Sequence, residues 1–178
     1  LATGTSNRVV AYIKAVRPDL VRIDHLILSH PHKDHLQLFP DIFDAFAVSH
    51  VWDSGAVNKT LGYCRFLAKV AAEPGVKYHN AIISGGVHEV RFKNAKCGPV
   101  IQVPRAEQMS AAPVRLGSGA SMSILYRDAS PHHDPNENTL VVRLDAANRR
   151  ILMAGDSEAG ERRDPVAAPD PGSIEKNL

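Results

Sequence analysis

The stretch HLILSHPHKDHL, His25 to Leu36, places four histidines and an aspartate within twelve residues. Imidazole and carboxylate together are ligands suited to zinc, manganese or iron(II). Their spacing, H-x-H-x-D-H, carries more information than their number. If the chain leaves the apolar run ILS in extended form, His30 and His32 point to one side and can share an ion. Asp34 and His35 lie where the chain must turn, and can hold a second ion. Two such ions roughly 3.5–4 Å apart can bridge a hydroxide and polarise a scissile oxygen. Pro31 and Lys33 suit a loop better than a helix interior.

The flanking elements must present this loop. SNRVVAYIKAVRP has Val9, Val10, Ile13 and Val16 at helical spacing, which predicts a helix over 7–17 with Ser6 as N-cap. IDHLILS reads as a buried strand ending at the histidines, and LQLFPDIFDAF as a helix started or interrupted at Pro40. FAVSHVWDSG is a second buried strand, followed by a helix in NKTLGYCRFLAKVAAEPG. Short strands follow: AIISGG, HEVRF, GPVIQVP, MSILYR, TLVVRLD and RRILMAGD, the last two joined by a hairpin. A final helix is expected from Asp156 onward. The alternation followed by a run of strands predicts an α/β (α+β) chain with two stacked sheets, one covered by helices.

With 178 residues, 44% hydrophobic and 22% charged, the chain fits one globular domain, 1–178, rather than a disordered segment. A net charge of +2 gives no broad cationic field for nucleic acid or membranes. No apolar run is long enough to span a bilayer. Cys64 and Cys97 can pair, but their spacing does not require it. The compartment stays open, cytoplasmic or exported. Both ends read as cut from something longer.

SHPHKDH resembles the signature loop of the metallo-β-lactamase fold superfamily. RIDHLILSHPHKDH, followed by a helix and later by NENTLVVRLDAANRRILMAGDSE, is similar to the hydrolase domain of ComEC-type DNA-uptake proteins. The resemblance implies an αββα sandwich, here incomplete at both ends, with a dinuclear site at the edge between the sheets. It implies His30 and His32 on the first metal, Asp34 and His35 on the second, and Asp156 bridging both. Asp156 also follows an apolar strand at a Gly turn, a reasonable place for a ligand. A further ligand is expected in SPHHDPNENT: Asn138 fits the branch best, and His133 is the better ligand chemically. The superfamily's final ligand histidine has no counterpart after His133. Ala2, in LATG, stands where many members have an aspartate supporting the loop.

Of the other histidines, His25 is expected to pack, and His79 and His88 to lie on the surface. His50, with Asp53 and Ser54, either lines a substrate pocket or packs in its strand. Lys33 can meet an anionic substrate or simply face solvent. The resulting expectation is a hydrolase with two divalent ions, Zn or Mn, and a metal-bridged hydroxide, with Asp34 and Asp156 as catalytic carboxylates. Its substrate is a small-molecule or nucleic-acid phosphodiester. A lactone or β-lactam-type hydrolase and a non-catalytic binding module are the alternatives.

Overall fold

A computed structural model describes residues 7–82, 85–93, 97–157 and 174. Helix α1 (Arg8–Val16) is capped by Asn7, not Ser6: the Asn7 side chain accepts from the Val9 and Val10 amides, and its Nδ2 donates to the Leu38 carbonyl at 2.7 Å. One side chain thus satisfies two helix-start donors and ties α1 to the loop before α3. Strand β1 (Arg22–Leu28) follows, then a short helical turn α2 (Lys33–Leu36) and α3 (Phe39–Ala45), with Pro40 in its first turn. The turn that Asp34 and His35 were expected to occupy is therefore helical, with His32 as its extended N-cap residue.

Strand β2 (Ala47–Asp53) and helix α4 (Leu61–Ala72) come next, α4 capped by Thr60 Oγ1 on the Tyr63 amide. β3 occupies Lys77–Asn80, just before AIISGG, which the sequence pattern had favoured. The pattern misleads because β3 alternates Tyr78 toward the helices and His79 toward the other sheet, with Tyr78 the one apolar residue in four. β4 (Gly86–Arg91) and β5 (Val100–Gln108) complete the first sheet, in the order β1-β2-β3-β5-β4. β1, β2, β3 and β5 are parallel and β4 is antiparallel. The second sheet, β6 (Val114–Arg115), β7 (Ala120–Tyr126), β8 (Val141–Ala146) and β9 (Arg149–Met153), is antiparallel throughout. The expected β8–β9 hairpin turns through Ala147 at φ 49.

Two apolar layers join these parts. Leu26, Leu28, Val51, Phe66, Leu67, Val70 and Tyr78 lie between the helices and the first sheet. Trp52, Met109, Met122, Ile124, Leu140 and Val142 lie between the two sheets. The fold is thus mixed α/β with stacked sheets. β9, at the edge of the second sheet, is exposed along its length. The expected final helix falls on residues 158–166, outside the described residues, as does Ala2.

Cys64 and Cys97 form a disulfide joining α4 to the segment before β5. His79 and His88 are buried, against the expectation of surface positions. His79 stacks on Trp52 with centroids 3.9 Å apart, and His88 stacks on Tyr78 at 5.6 Å. His79 lies on β3, between β2 and β5, and His88 on the edge strand β4, but each ring points into a packed layer rather than into water. Burial, with His50 beside it, pushes the His79 imidazole down to about 4.

Candidate metal centre

β1 is paired along β2 and delivers Ser29 and His30 at its carboxyl end, where the loop begins. His30 is fully buried. Its Nε2 lies 3.0 Å from His32 Nδ1, and the two rings meet edge to face at 4.7 Å. His35, on α2, brings its Nε2 to 3.6 Å from Asp34 Oδ2. Asp156 arrives from the turn after β9. Its Oδ2 lies 3.3 Å from His35 Nε2 and 3.8 Å from His30 Nε2. One ligand atom each from His30, His35 and Asp156 falls within 4.8 Å of the others, a group that could hold a metal ion.

The donor set suits such an ion. Burial, with His35 and His32 alongside, pushes the His30 imidazole down to about 4, while Asp156 and Asp34 oppose the shift. A ring neutral at ordinary pH keeps a lone pair for a metal. Ser29 Oγ lies 3.3 Å from His30 Nδ1 and 3.1 Å from His35 Nδ1. A single hydroxyl therefore orients two rings so that both Nε2 atoms face Asp156. Sequence reasoning passed over Ser29. Its only signal was its place as the last polar residue of the strand before His30.

The sequence reads Gly155 only as the turn before Asp156; the structure shows why the turn must be glycine. Its φ is +56, and a Cβ there would lie 2.7 Å from Thr139 Cγ2 and 3.0 Å from Ser29 Cβ. The Leu140 amide donates to the Ser29 carbonyl at 2.7 Å. The start of β8, the end of β1 and the turn after β9 thus close on one another, and glycine lets Asp156 reach the histidines. Gly155→Ala should cost about 1–2 kcal/mol from the left-handed backbone alone, and should shift Asp156. The expected result is a loss of metal affinity of roughly tenfold to a hundredfold, as for other orienting groups, measured by calorimetric zinc titration. Wild-type affinity in the variant would show that the close approach does not set the carboxylate.

Other expected positions fall elsewhere. Asn138 is buried, and its Nδ2 donates to the Asp128 and Ser130 carbonyls at 2.9 Å each, bonds that do not use the Oδ1 a metal would need. His133 is exposed and joins no cluster among the described residues. Its neighbour His132 is clamped between Asp128 Oδ2 at 2.8 Å and Glu137 Oε2 at 2.9 Å. His50 pairs in register with His25, five residues before His30, on the order of 15 Å back along the strand. It stacks on His25 and its Nδ1 lies 2.9 Å from His79 Nε2. His50 and His25 stack within the first sheet and both line a cavity of about 740 Å³ with Arg22, Ser49 and Arg115, away from the histidine loop; His25 Nδ1 accepts from Trp52 Nε1 at 3.2 Å.

Asp53, by contrast, is fully buried. It is buried beneath α4, where Tyr63 and Tyr78 donate to its Oδ2 at 2.6 and 2.7 Å. Burial raises its carboxyl above the usual range, against the pull of those phenols. Ser54 is buried beside it. Lys33 is exposed on the outer side of the loop and lines a cavity with His32.

A search of curated proteins finds no match. The family model described as Metallo-beta-lactamase superfamily matches residues 3–178, and that superfamily consists mostly of metal-dependent hydrolases that bind divalent ions. The match spans nearly the whole chain and includes the loop, the two sheets and the turn that carries Asp156. The chain belongs to the metallo-β-lactamase superfamily.

Proposed function

We propose that residues 1–178 form one hydrolase domain that holds two divalent ions, Zn or Mn, and cleaves phosphodiesters, as the ComEC-like branch does. The observation that carries this reading is Asp156 Oδ2, close to both His30 Nε2 and His35 Nε2. A single carboxylate between the His30–His32 pair and the Asp34–His35 pair is what a two-ion site requires. When bound, such ions supply Lewis acidity and lower the pKa of water.

The chain's own residues supply the rest. Ser29 sets the His30 and His35 rings, and the burial of His30 keeps that ring neutral. Asp34, more than three-quarters exposed at its side chain, faces the open side of the cluster. It can join His35 in holding the second ion there. Lys33 offers a charge to an anionic ester. The Cys64–Cys97 disulfide favours an exported protein over a cytoplasmic one, because such bonds persist in oxidising compartments.

Metal analysis and a substrate panel test the reading: bis-p-nitrophenyl phosphate, single-stranded DNA and nitrocefin, assayed side by side with Zn and with Mn. The expected outcome is about two ions per chain and diester hydrolysis that disappears in His32→Ala. Turnover of nitrocefin without either diester would transfer the assignment to amide or lactone hydrolysis. Failure to bind metal would leave a binding module.

A further inference from the structure

We propose that the cavity between the two sheets is a second ligand site, built for a small organic anion: an apolar ring carrying a carboxylate and one N–H or O–H donor. The cavity, of about 740 Å³, runs along β1 and the middle of β2 and faces the β6–β7 turn, β8 and β9. Ligand pockets typically span about 300–1,000 Å³. None of His30, His32, Asp34, His35 and Asp156 lines it. Two imidazoles on its wall have a ring nitrogen to spare, and their neighbours fix its kind. An indole N–H can only donate, so Trp52 Nε1 makes His25 Nδ1 an acceptor and leaves the His25 proton on Nε2. Across the sheet, Glu107 Oε2 lies 3.6 Å from His79 Nδ1 and favours a proton there. His79 Nε2 then accepts from His50 Nδ1 at 2.9 Å, and His50 Nε2 keeps a lone pair.

Neither Nε2 has a hydrogen-bond partner among the described residues, and neither is sealed from solvent. Burial holds both imidazoles below their ordinary value, with His50 beside His25 and Lys77 beside His50 adding to it, so both rings are neutral near pH 7. The wall therefore offers a donor at His25 and an acceptor at His50, on rings stacked 4.8 Å apart. The lining carries one uncompensated charge. Arg22 and Asp24 pair with each other at 2.7 Å, which leaves Arg115. Ile27, Met122, Leu144 and Met153 supply the apolar surface. A metal ion does not suit this wall, because His25 presents a proton rather than a lone pair, and no third ligand closes on the two rings among the described residues. A carboxylate that accepts from His25 Nε2 and Arg115, a donor that meets His50 Nε2 and a ring laid on the apolar side chains would use every group the wall presents.

The test uses the whole chain with zinc and the probe indole-3-acetate, followed through the imidazole nitrogen shifts of His25 and His50 in long-range proton–nitrogen spectra. In the unliganded protein the His25 proton is expected on Nε2 and the His50 proton on Nδ1. Adding the probe is expected to move both Nε2 signals, with a Kd of about 1 mM or tighter for a ligand of this size. Arg115 is exposed, so Arg115→Gln keeps the fold. It is expected to weaken indole-3-acetate about tenfold or more, as for other charge-assisted hydrogen bonds, and to leave the uncharged indole-3-acetamide unaffected. Arg149→Gln, an equal charge change on β9 outside the cavity, is expected to keep the affinity of the parent chain. The opposite tautomers in the unliganded protein, Nε2 signals that stay still with the probe, or equal weakening of acid and amide by Arg115→Gln would each overturn the proposal. The signals belong to His25 and His50 themselves, so a carboxylate that only reaches zinc at the histidine loop would leave them in place and count against the second site.

Discussion

Asp156→Asn is expected to leave a folded chain that has lost about a thousandfold or more of its hydrolytic rate. The size follows from two quantities: metal ions contribute several kcal/mol of charge stabilisation, and each 1.36 kcal/mol corresponds to about tenfold in rate. Asparagine keeps the shape of the side chain but removes the charge between His30 Nε2 and His35 Nε2. An amide holds divalent ions far less well than a carboxylate does. The side chain is 45% exposed, so the change leaves no charge stranded in a core, and melting should move by no more than about 2 °C. Metal content, melting temperature and turnover measured on one preparation check the prediction. Wild-type metal content and turnover in the variant would remove Asp156 from the site, and a collapsed melting curve would make its role structural.

Removing the Cys64–Cys97 disulfide, by Cys64→Ala/Cys97→Ala, is expected to lower stability by about 3–4 kcal/mol. The bond joins residues 33 apart in sequence, and closing a loop of that length restricts the unfolded chain by about that much. Against a total of about 5–15 kcal/mol for a domain, this is a large share, equivalent to roughly 10 °C at this chain length. The consequence reaches the site, because α4 packs against α2: a Cβ on Gly62 would lie 3.0 Å from Leu36 Cδ1, one residue beyond His35. Calorimetry with and without a reductant gives the same comparison without mutation. An unchanged melting temperature in both experiments would show that the bond does not restrain the fold.

What the sequence determined by itself was local. The H-x-H-x-D-H spacing, the apolar strand before it and the helical segments after it fall within a few residues of one another, and backbone periods of two and about 3.6 residues carry their geometry. For the same reason the α1 and α4 segments, the β8–β9 hairpin and the two-sheet architecture were legible, although α1 is capped by Asn7 rather than Ser6 and α2 was not expected to be helical. Asp156 was reached from the resemblance and from its Gly turn. Its distance to the histidines was not, because that depends on how β8 and β9 lie against β1.

Only the tertiary structure decided which distant groups meet. Cys64 and Cys97 carry no pairing information in their spacing, and they join because α4 and the segment before β5 pack together. Ser29's hold on two rings, and the close approach that requires glycine at 155, became visible only when the end of β1, the start of β8 and the turn after β9 closed on one another. Asn138 is read as a ligand by type, and only the fold shows that its Nδ2 ties together two carbonyls of its own loop. His79 and His88 looked solvated by composition, yet strand pairing turns both rings inward. In each case the residue's chemistry could be read in one dimension, while its partner was set by strand order and layer packing, which bring together groups that are remote along the chain.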